Sequence, residues 1–208
     1  MLIELERVLA AAPLGRAGVR LHGVAVLTSL LASPGPVGAL AAARLGDGAR
    51  PVRAVLFDKT PGTNWALGWH QDRTVAVTAR DDVPGWGPWS VKAGIQHVEP
   101  PFAVIERMVT LRIHFDPVPA DNAPLLIAPG SHRLGRVPEW KVDAVVGRCG
   151  TAVCLADRGD VWAYATPILH ASAASAAAAA SAGHAHRRVL QVDYSADTLP
   201  DSLEWLGI

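Results

Sequence analysis

The sequence predicts a mainly β domain of antiparallel strands, closed as a sandwich or barrel, with flanking helical segments. Three observations carry this. Short β-branched or apolar runs recur along most of the chain. Nineteen Gly and 16 Pro break them into pieces too short for long helices. No strand–helix–strand alternation, which a parallel sheet needs, is visible. The 208 residues suit a single domain over 1–208, with a mixed lead-in over 1–50 and the β core over 51–197.

Within the lead-in, Val19 to Leu27 reads as a strand. Ser33 reads as an N-cap with Pro34 in the first turn, opening an Ala-rich helix over Val37 to Leu45 that stops at Gly46. The predicted strands that follow are Val52 to Phe57, Thr74 to Thr78 and Val104 to Phe115. After a Pro-rich turn come Leu125 to Ala128, Ala152 to Ala156, Val161 to Tyr164 and Val189 to Tyr194. Residues 81–101, with Trp86, Trp89 and four prolines, read as one long loop. The Ala- and Ser-rich run over 171–186 reads as a helix or a loop, and composition does not choose.

Half the residues are hydrophobic and 18% are charged, which excludes a mostly disordered chain. Lys and Arg together number 19, as do Asp and Glu, so the formal net charge is zero. A nucleic-acid backbone calls for a basic field, so nucleic acid is not an expected partner. Cys149 and Cys154 are too few for a disulfide scaffold or a zinc ribbon. The start carries Glu4 and Glu6 instead of a basic end and an apolar run. No apolar tract approaches the ~20 residues of a membrane span, so the expected location is the cytoplasm. Dinucleotide, P-loop and hydrolase-elbow glycine motifs are absent.

Eight histidines are the main chemical resource. Two ligands from one strand must stand at i and i+2, because alternate side chains share a face. A non-haem iron site needs two His and one carboxylate, so His-x-Asp and His-x-Glu are the patterns to find. Three occur: His70-Gln71-Asp72, His97-Val98-Glu99 and His114-Phe115-Asp116. Such pairs arise readily by chance, and context separates them. The pair at 97 lies in the predicted loop. Asp116 opens a turn and reads as its cap. His70 and Asp72 stand just before an alternating strand. Downstream, His170 and Ser172 precede Arg187-Arg188, which open an apolar strand. An inward cation there needs an anionic partner, and a dicarboxylate would supply one through a bidentate fork. A solvent-facing Arg is the alternative.

Four segments, in order, resemble the phytanoyl-CoA dioxygenase family of Fe(II)/2-oxoglutarate oxygenases. They are Leu56 to Asp72 (LFDKTPGTNWALGWHQD), Asp121 to His132 (DNAPLLIAPGSH), His170-Ala-Ser172 and Arg187 to Tyr194 (RRVLQVDY). The resemblance covers roughly residues 18–197. It implies a double-stranded β-helix, the cupin-like jelly roll, in which distant strands share one metal. It implies His70, Asp72 and His170 as iron ligands and Arg187 with Ser172 as the seat of the far carboxylate of 2-oxoglutarate. Lys59 and Asn64 match polar positions near the pocket, and Asn122 with Pro129 to His132 match a structural turn. The implied reaction uses Fe(II), 2-oxoglutarate and O2, releases succinate and CO2, and hydroxylates a C–H bond of a small metabolite. A carboxylate at 72 argues against the halogenating variant.

The chain departs from the family in three places. Arg187 lies seventeen positions after His170, a wider spacing than is usual, so Arg188 is the rival for the keto-acid. Ala123 stands where Asn-Gly is common. The lead-in is short. For the substrate, Trp65, Trp86 and Arg112 are the candidate contacts, and no basic patch for CoA phosphates is visible. A non-catalytic jelly-roll binding protein is the alternative function, and an enzyme using His114 or His132 a further one. The sequence does not speak to the oligomeric state.

Overall fold

The computed structural model describes residues 1–12, 16–177, 186–200 and 202–208. In chain order the elements are α1 (Leu2–Leu9), β1 (Gly18–Leu21), α2 (Ala25–Leu31), α3 (Gly38–Leu45), β2 (Arg50–Lys59) and β3 (Leu67–His70). Next come β4 (Val75–Val77), β5 (Trp89–Lys92), β6 (Ile95–Val98), α4 (Phe102–Glu106), β7 (Val109–His114) and β8 (Leu125–Ile127). The last are α5 (Val142–Cys149), β9 (Ala152–Cys154), β10 (Val161–Ala165), β11 (His170–Ser172) and β12 (Arg187–Ser195).

Two antiparallel sheets form the jelly roll. The larger has the order β1-β2-β12-β7-β10 and the smaller β3-β11-β8-β9. A third sheet, β4-β6-β5, stands beside them. The larger sheet has two different faces, with one register irregularity against β2 between Asp193 and Tyr194. Leu190, Val192 and Tyr194 of β12 face outward with Leu111 and Ile113 of β7. There they pack under Leu5, Leu27, Leu31 and Ala41 of the three lead-in helices. Tyr194 is fully buried, and its hydroxyl donates to the Leu31 carbonyl at 2.9 Å. The opposite face carries Arg187, Gln191 and Asp193 of β12, Arg112 of β7, and Arg53, Phe57 and Lys59 of β2.

Several expectations are corrected. Strand character ends at Leu21, and Ala25–Leu31 is helical; Gly23, at φ 72°, breaks the apolar run between them. The Ala-rich helix begins at Gly38, later than Ser33 and Pro34 implied, and ends at Gly46 as expected. Residues 81–101 are not one loop. They hold the β5–β6 hairpin, closed by Ala93 and Gly94, both at positive φ as a two-residue hairpin turn requires. The run from Val104 splits into the end of α4 and then β7. Helix α5 has no counterpart in the sequence reading. The lead-in is also part of the core architecture, since β1 pairs with β2 over four residues. Most of the 171–186 run, namely 178–185, lies outside the described residues. No helix among the described residues is long and apolar enough to cross a membrane.

Candidate active site between the two sheets

His70 ends β3 and pairs in register with His170, the first residue of β11. Their ring centroids lie 4.2 Å apart. The chain continues extended past His70, so Gln71 turns away and Asp72 returns to the side of His70. Gln71 is buried and locks this geometry. Its amide donates to Pro167 O at 2.8 Å and accepts from Val137 N at 2.8 Å. The ligand-type atoms of His70, Asp72 and His170 all lie within 4.8 Å of one another. Among the described residues, no other group of three His, Cys, Asp or Glu side chains converges in this way.

Each donor is prepared for a cation. Nδ1 of His70 donates to Gly68 O at 2.8 Å, and Nδ1 of His170 donates to Ile168 O at 2.9 Å. A carbonyl only accepts, so both protons sit on Nδ1 and both Nε2 lone pairs are free. Burial pushes the His170 imidazolium down to about 4, against the opposing pull of Asp72, so the ring is neutral near pH 7. Burial acts to raise the Asp72 carboxyl. The Arg53 guanidinium, followed by His170, His70 and a Gln191 hydrogen bond, outweighs it and holds the group below the usual carboxylate range. Arg53 and Gln191 both engage Oδ2, at 3.1 and 3.3 Å, leaving Oδ1 uncommitted. Arg53 is itself fixed by Asp193 at 2.5 Å, and Asp193 accepts from Thr110 at 2.9 Å. Arg53 is not among the residues expected from the sequence; its signal is a cation at the i, i+2 spacing of Val55, Phe57 and Lys59.

The triad lines a cavity of about 200 Å³ whose far wall is cationic. Arg187, 2% exposed, and Lys59, 0% exposed, are register partners on β12 and β2 and face the same way. Arg187 donates to Ala123 O at 2.7 Å, and its Nε has no partner among the described residues. Lys59 donates to Ser172 Oγ at 3.0 Å and to the Ala173 carbonyl. Burial, then the charges of Arg187 and Arg112, push the Lys59 ammonium down to about 7. Arg112 lies on the cavity floor, bonded to Gln191 Oε1 at 3.0 Å and 5.7 Å above the Phe57 ring. Trp65 lines the wall, with Lys59 5.0 Å from its ring. A larger groove of about 800 Å³, against Leu40, Arg44 and His132, contains none of the triad.

Two expected contacts lie elsewhere. Asn64 is not on the cavity wall. Its side chain is spent on Ser175, donating to its carbonyl at 2.9 Å and accepting from its amide at 2.7 Å. Trp86 packs with Val52, Val75 and Val98 in a separate apolar cluster. The rival pairs do not converge with a third ligand. Glu99 is paired to Arg136 at 2.7 Å, and Asp116 to Arg188 at 2.6 Å. His114 lies buried within the fold with neither ring nitrogen bonded.

The donor set and the cationic wall both suit a ferrous ion with a chelating keto-acid: two imidazoles, one carboxylate, and in the same cavity a buried guanidinium with no ion-pair partner among the described residues. Comparison with solved structures gives the same fold. SnoN, a non-heme alpha ketoglutarate dependent epimerase from nogalamycin biosynthesis, aligns at TM-score 0.58 and 14% identity over 97% of this chain and 80% of its own. EvdMO1 aligns at 0.55 and 20% identity over 85% of this chain. EctD from S. alaskensis aligns at 0.51 and 15% identity over 86%. The chain spans only 35% of the length of EvdMO1 and 56% of that of EctD. No curated protein matches the sequence significantly. Residues 36–180 match the family described as Phytanoyl-CoA dioxygenase (PhyH), about 70% of the chain. The chain therefore belongs to the phytanoyl-CoA dioxygenase family of iron- and 2-oxoglutarate-dependent oxygenases.

Proposed function

We propose that this protein hydroxylates a C–H bond of a small molecule, with His70, Asp72 and His170 holding Fe(II) and Arg187, Lys59 and Ser172 seating 2-oxoglutarate. The observation that carries the reading is the convergence of the three donor atoms within 4.8 Å, in a cavity also lined by the buried Arg187, whose Nε has no partner among the described residues. Iron bound there supplies oxygen-activating redox chemistry, with 2-oxoglutarate as the two-electron donor that leaves as succinate and CO2.

The chain's own residues do the positioning. Arg53 and Gln191 hold Asp72 by one oxygen, which orients the other toward the histidines. Arg187 offers a fork to the far carboxylate of the keto-acid, while Lys59 and Ser172 supply further donors. Val55, Phe57 and Leu125 line the same cavity and keep water from its inner part.

Fe(II) and 2-oxoglutarate added anaerobically are expected to give a weak visible charge-transfer band. In air they are expected to give slow uncoupled succinate formation. His70→Ala removes both. His114→Ala, which deletes a ring with no hydrogen-bond partner, leaves succinate formation largely intact. A folded protein that binds neither cofactor is a non-catalytic binding module instead.

A further inference from the structure

The charges around the cavity do not balance. Six cationic side chains line it: Arg20, Arg53, Lys59, Lys92, Arg112 and Arg187. Among the described residues Asp72 is the one carboxylate on the wall, with Asp193 behind it against Arg53. Fe(II) would add two positive charges and 2-oxoglutarate would remove two, so loading the site leaves the excess in place. Asp72 and Asp193 answer Arg53, and the keto-acid answers Arg187 and Lys59. That leaves Arg112 on the floor, and Arg20 and Lys92 further out.

Depth separates these groups. Lys59, Arg112 and Arg187 are buried, whereas Arg20, Lys92 and Trp65 are half-buried and Leu67 is 48% exposed. The mouth is therefore the gap between β1, which carries Arg20, the β3 region, and the tip of the β5–β6 hairpin, which carries Lys92. A cavity of about 200 Å³ is small beside the roughly 300–1,000 Å³ of ordinary ligand sites. With the keto-acid inside, the molecule to be oxidised must extend to this mouth. Neither mouth cation has a carboxylate partner among the described residues. The Arg20 Nε is enclosed without any acceptor, and Lys92 is held only by Thr74 Oγ1 at 3.0 Å. Burial and the Arg53 charge disfavour the cationic form of both. An unpaired, partly desolvated pair of cations facing a reaction chamber calls for an anion.

We propose that the substrate of this pocket is an anion, and that Arg20 and Lys92 grip its carboxylate or phosphate at the mouth. The inference rests on the oxygenase reading above and adds to it the chemical class of the substrate. Arg20 supplies a planar fork and Lys92 a movable point charge, a combination that serves either head group.

The test uses protein loaded anaerobically with Fe(II) and 2-oxoglutarate. It is titrated by calorimetry with three probes of equal chain length: hexanoate, hexyl phosphate and hexanamide. At least one anion is expected to bind about tenfold or more tighter than the amide, with an affinity that falls as salt rises. Which anion wins identifies the head group. Arg20→Gln and Lys92→Gln are each expected to weaken anion binding about fivefold or more, and the double variant to erase the preference, while 2-oxoglutarate affinity stays within about twofold. Equal binding of all three probes, no binding of any, or a preference that survives the double variant overturns the proposal. Failure to bind 2-oxoglutarate strikes the oxygenase reading instead, and the anion preference is then read on the metal-free protein. Thermal melts confirm the fold; should Arg20→Gln unfold, Lys92→Gln, on a hairpin tip, carries the test.

Discussion

Arg187 and Arg188, neighbours on β12, serve opposite faces of one sheet. Arg187 is buried in the cavity, register partner to Lys59, with no carboxylate among the described residues beside it. Arg188 points the other way and grips Asp116 with two bonds of 2.9 and 2.6 Å, while its backbone amide donates to the same carboxylate at 2.7 Å. The i, i+1 alternation of a strand makes the two cations incapable of sharing a role.

Arg187→Gln should therefore weaken 2-oxoglutarate binding by about tenfold to a hundredfold, since the buried far carboxylate loses its fork. Arg188→Gln should leave that affinity within about twofold and cost about 1 kcal/mol of stability or less, because its ion pair is partly solvated. Titration of the charge-transfer band measures the first effect and thermal unfolding the second. Equal losses of affinity in the two variants would defeat the assignment.

Lys59 makes keto-acid binding pH-dependent. Its ordinary value is 10.5, and in the ligand-free fold burial and the neighbouring arginines bring it to about 7. Between those values the unfolded chain holds the proton and the folded chain does not, so this group makes the ligand-free fold more stable as pH rises from 7 toward 10.5. A carboxylate favours the ammonium, so binding above pH 7 takes up a proton, and affinity declines toward tenfold per pH unit. Calorimetry in buffers of different ionisation heat reads the uptake directly. Lys59→Met should abolish it, and an uptake that persists in that variant would assign the proton elsewhere.

What the sequence revealed and hid follows from the range of the interactions involved. His70 and Asp72 were legible because strand alternation is a local rule, and Val52 to Phe57 because β-branched runs are a local signal. The β5–β6 hairpin was hidden by its Trp- and Pro-rich approach and by an Ala93-Gly94 turn in place of the commoner Asn-Gly. Helix α5 did leave a trace: Val142, Val145, Val146 and Cys149 repeat at helical spacing before Gly150. Trp86 was misplaced because a tryptophan in a loop carries no information about which cluster it joins. The mouth cations had no local signal at all. Arg20 and Lys92 stand on β1 and on a hairpin far along the chain, and only the fold gathers them. The sequence shows no basic patch, yet the fold gathers six scattered cations around one cavity.

Ala123 is a local misfit with a function. Its φ of 50° is left-handed, a region that costs a residue with Cβ about 1–2 kcal/mol. Its carbonyl accepts from Arg187 at 2.7 Å and from Ser172 at 3.3 Å, so the turn holds both side chains in place. Ala123→Gly should relieve the strain and stabilise the fold by up to about 1 kcal/mol, or about 2–4 °C in Tm. Scanning calorimetry measures it. A lower Tm would mean that the entropy lost from a freer unfolded chain exceeds the strain relieved.

Three buried histidines make the metal-free fold sensitive to acid. His97, His114 and His170 each titrate near 4, against an ordinary 6.5, and burial is the first cause in every case. In that interval the unfolded chain binds protons that the folded chain refuses, so stability is lost as pH falls from 6.5 toward 4, on the order of 1–3 kcal/mol for each ring. His114 is the most exposed to this effect, because Arg112 and Arg187 oppose its protonation and neither of its nitrogens has an acceptor. Replacing it with Asn should flatten the lower part of the stability–pH curve. Urea unfolding of the chelator-treated protein at intervals from pH 7 to pH 4 makes the comparison. If the His114 and wild-type curves run parallel across that range, the acid sensitivity belongs to other groups.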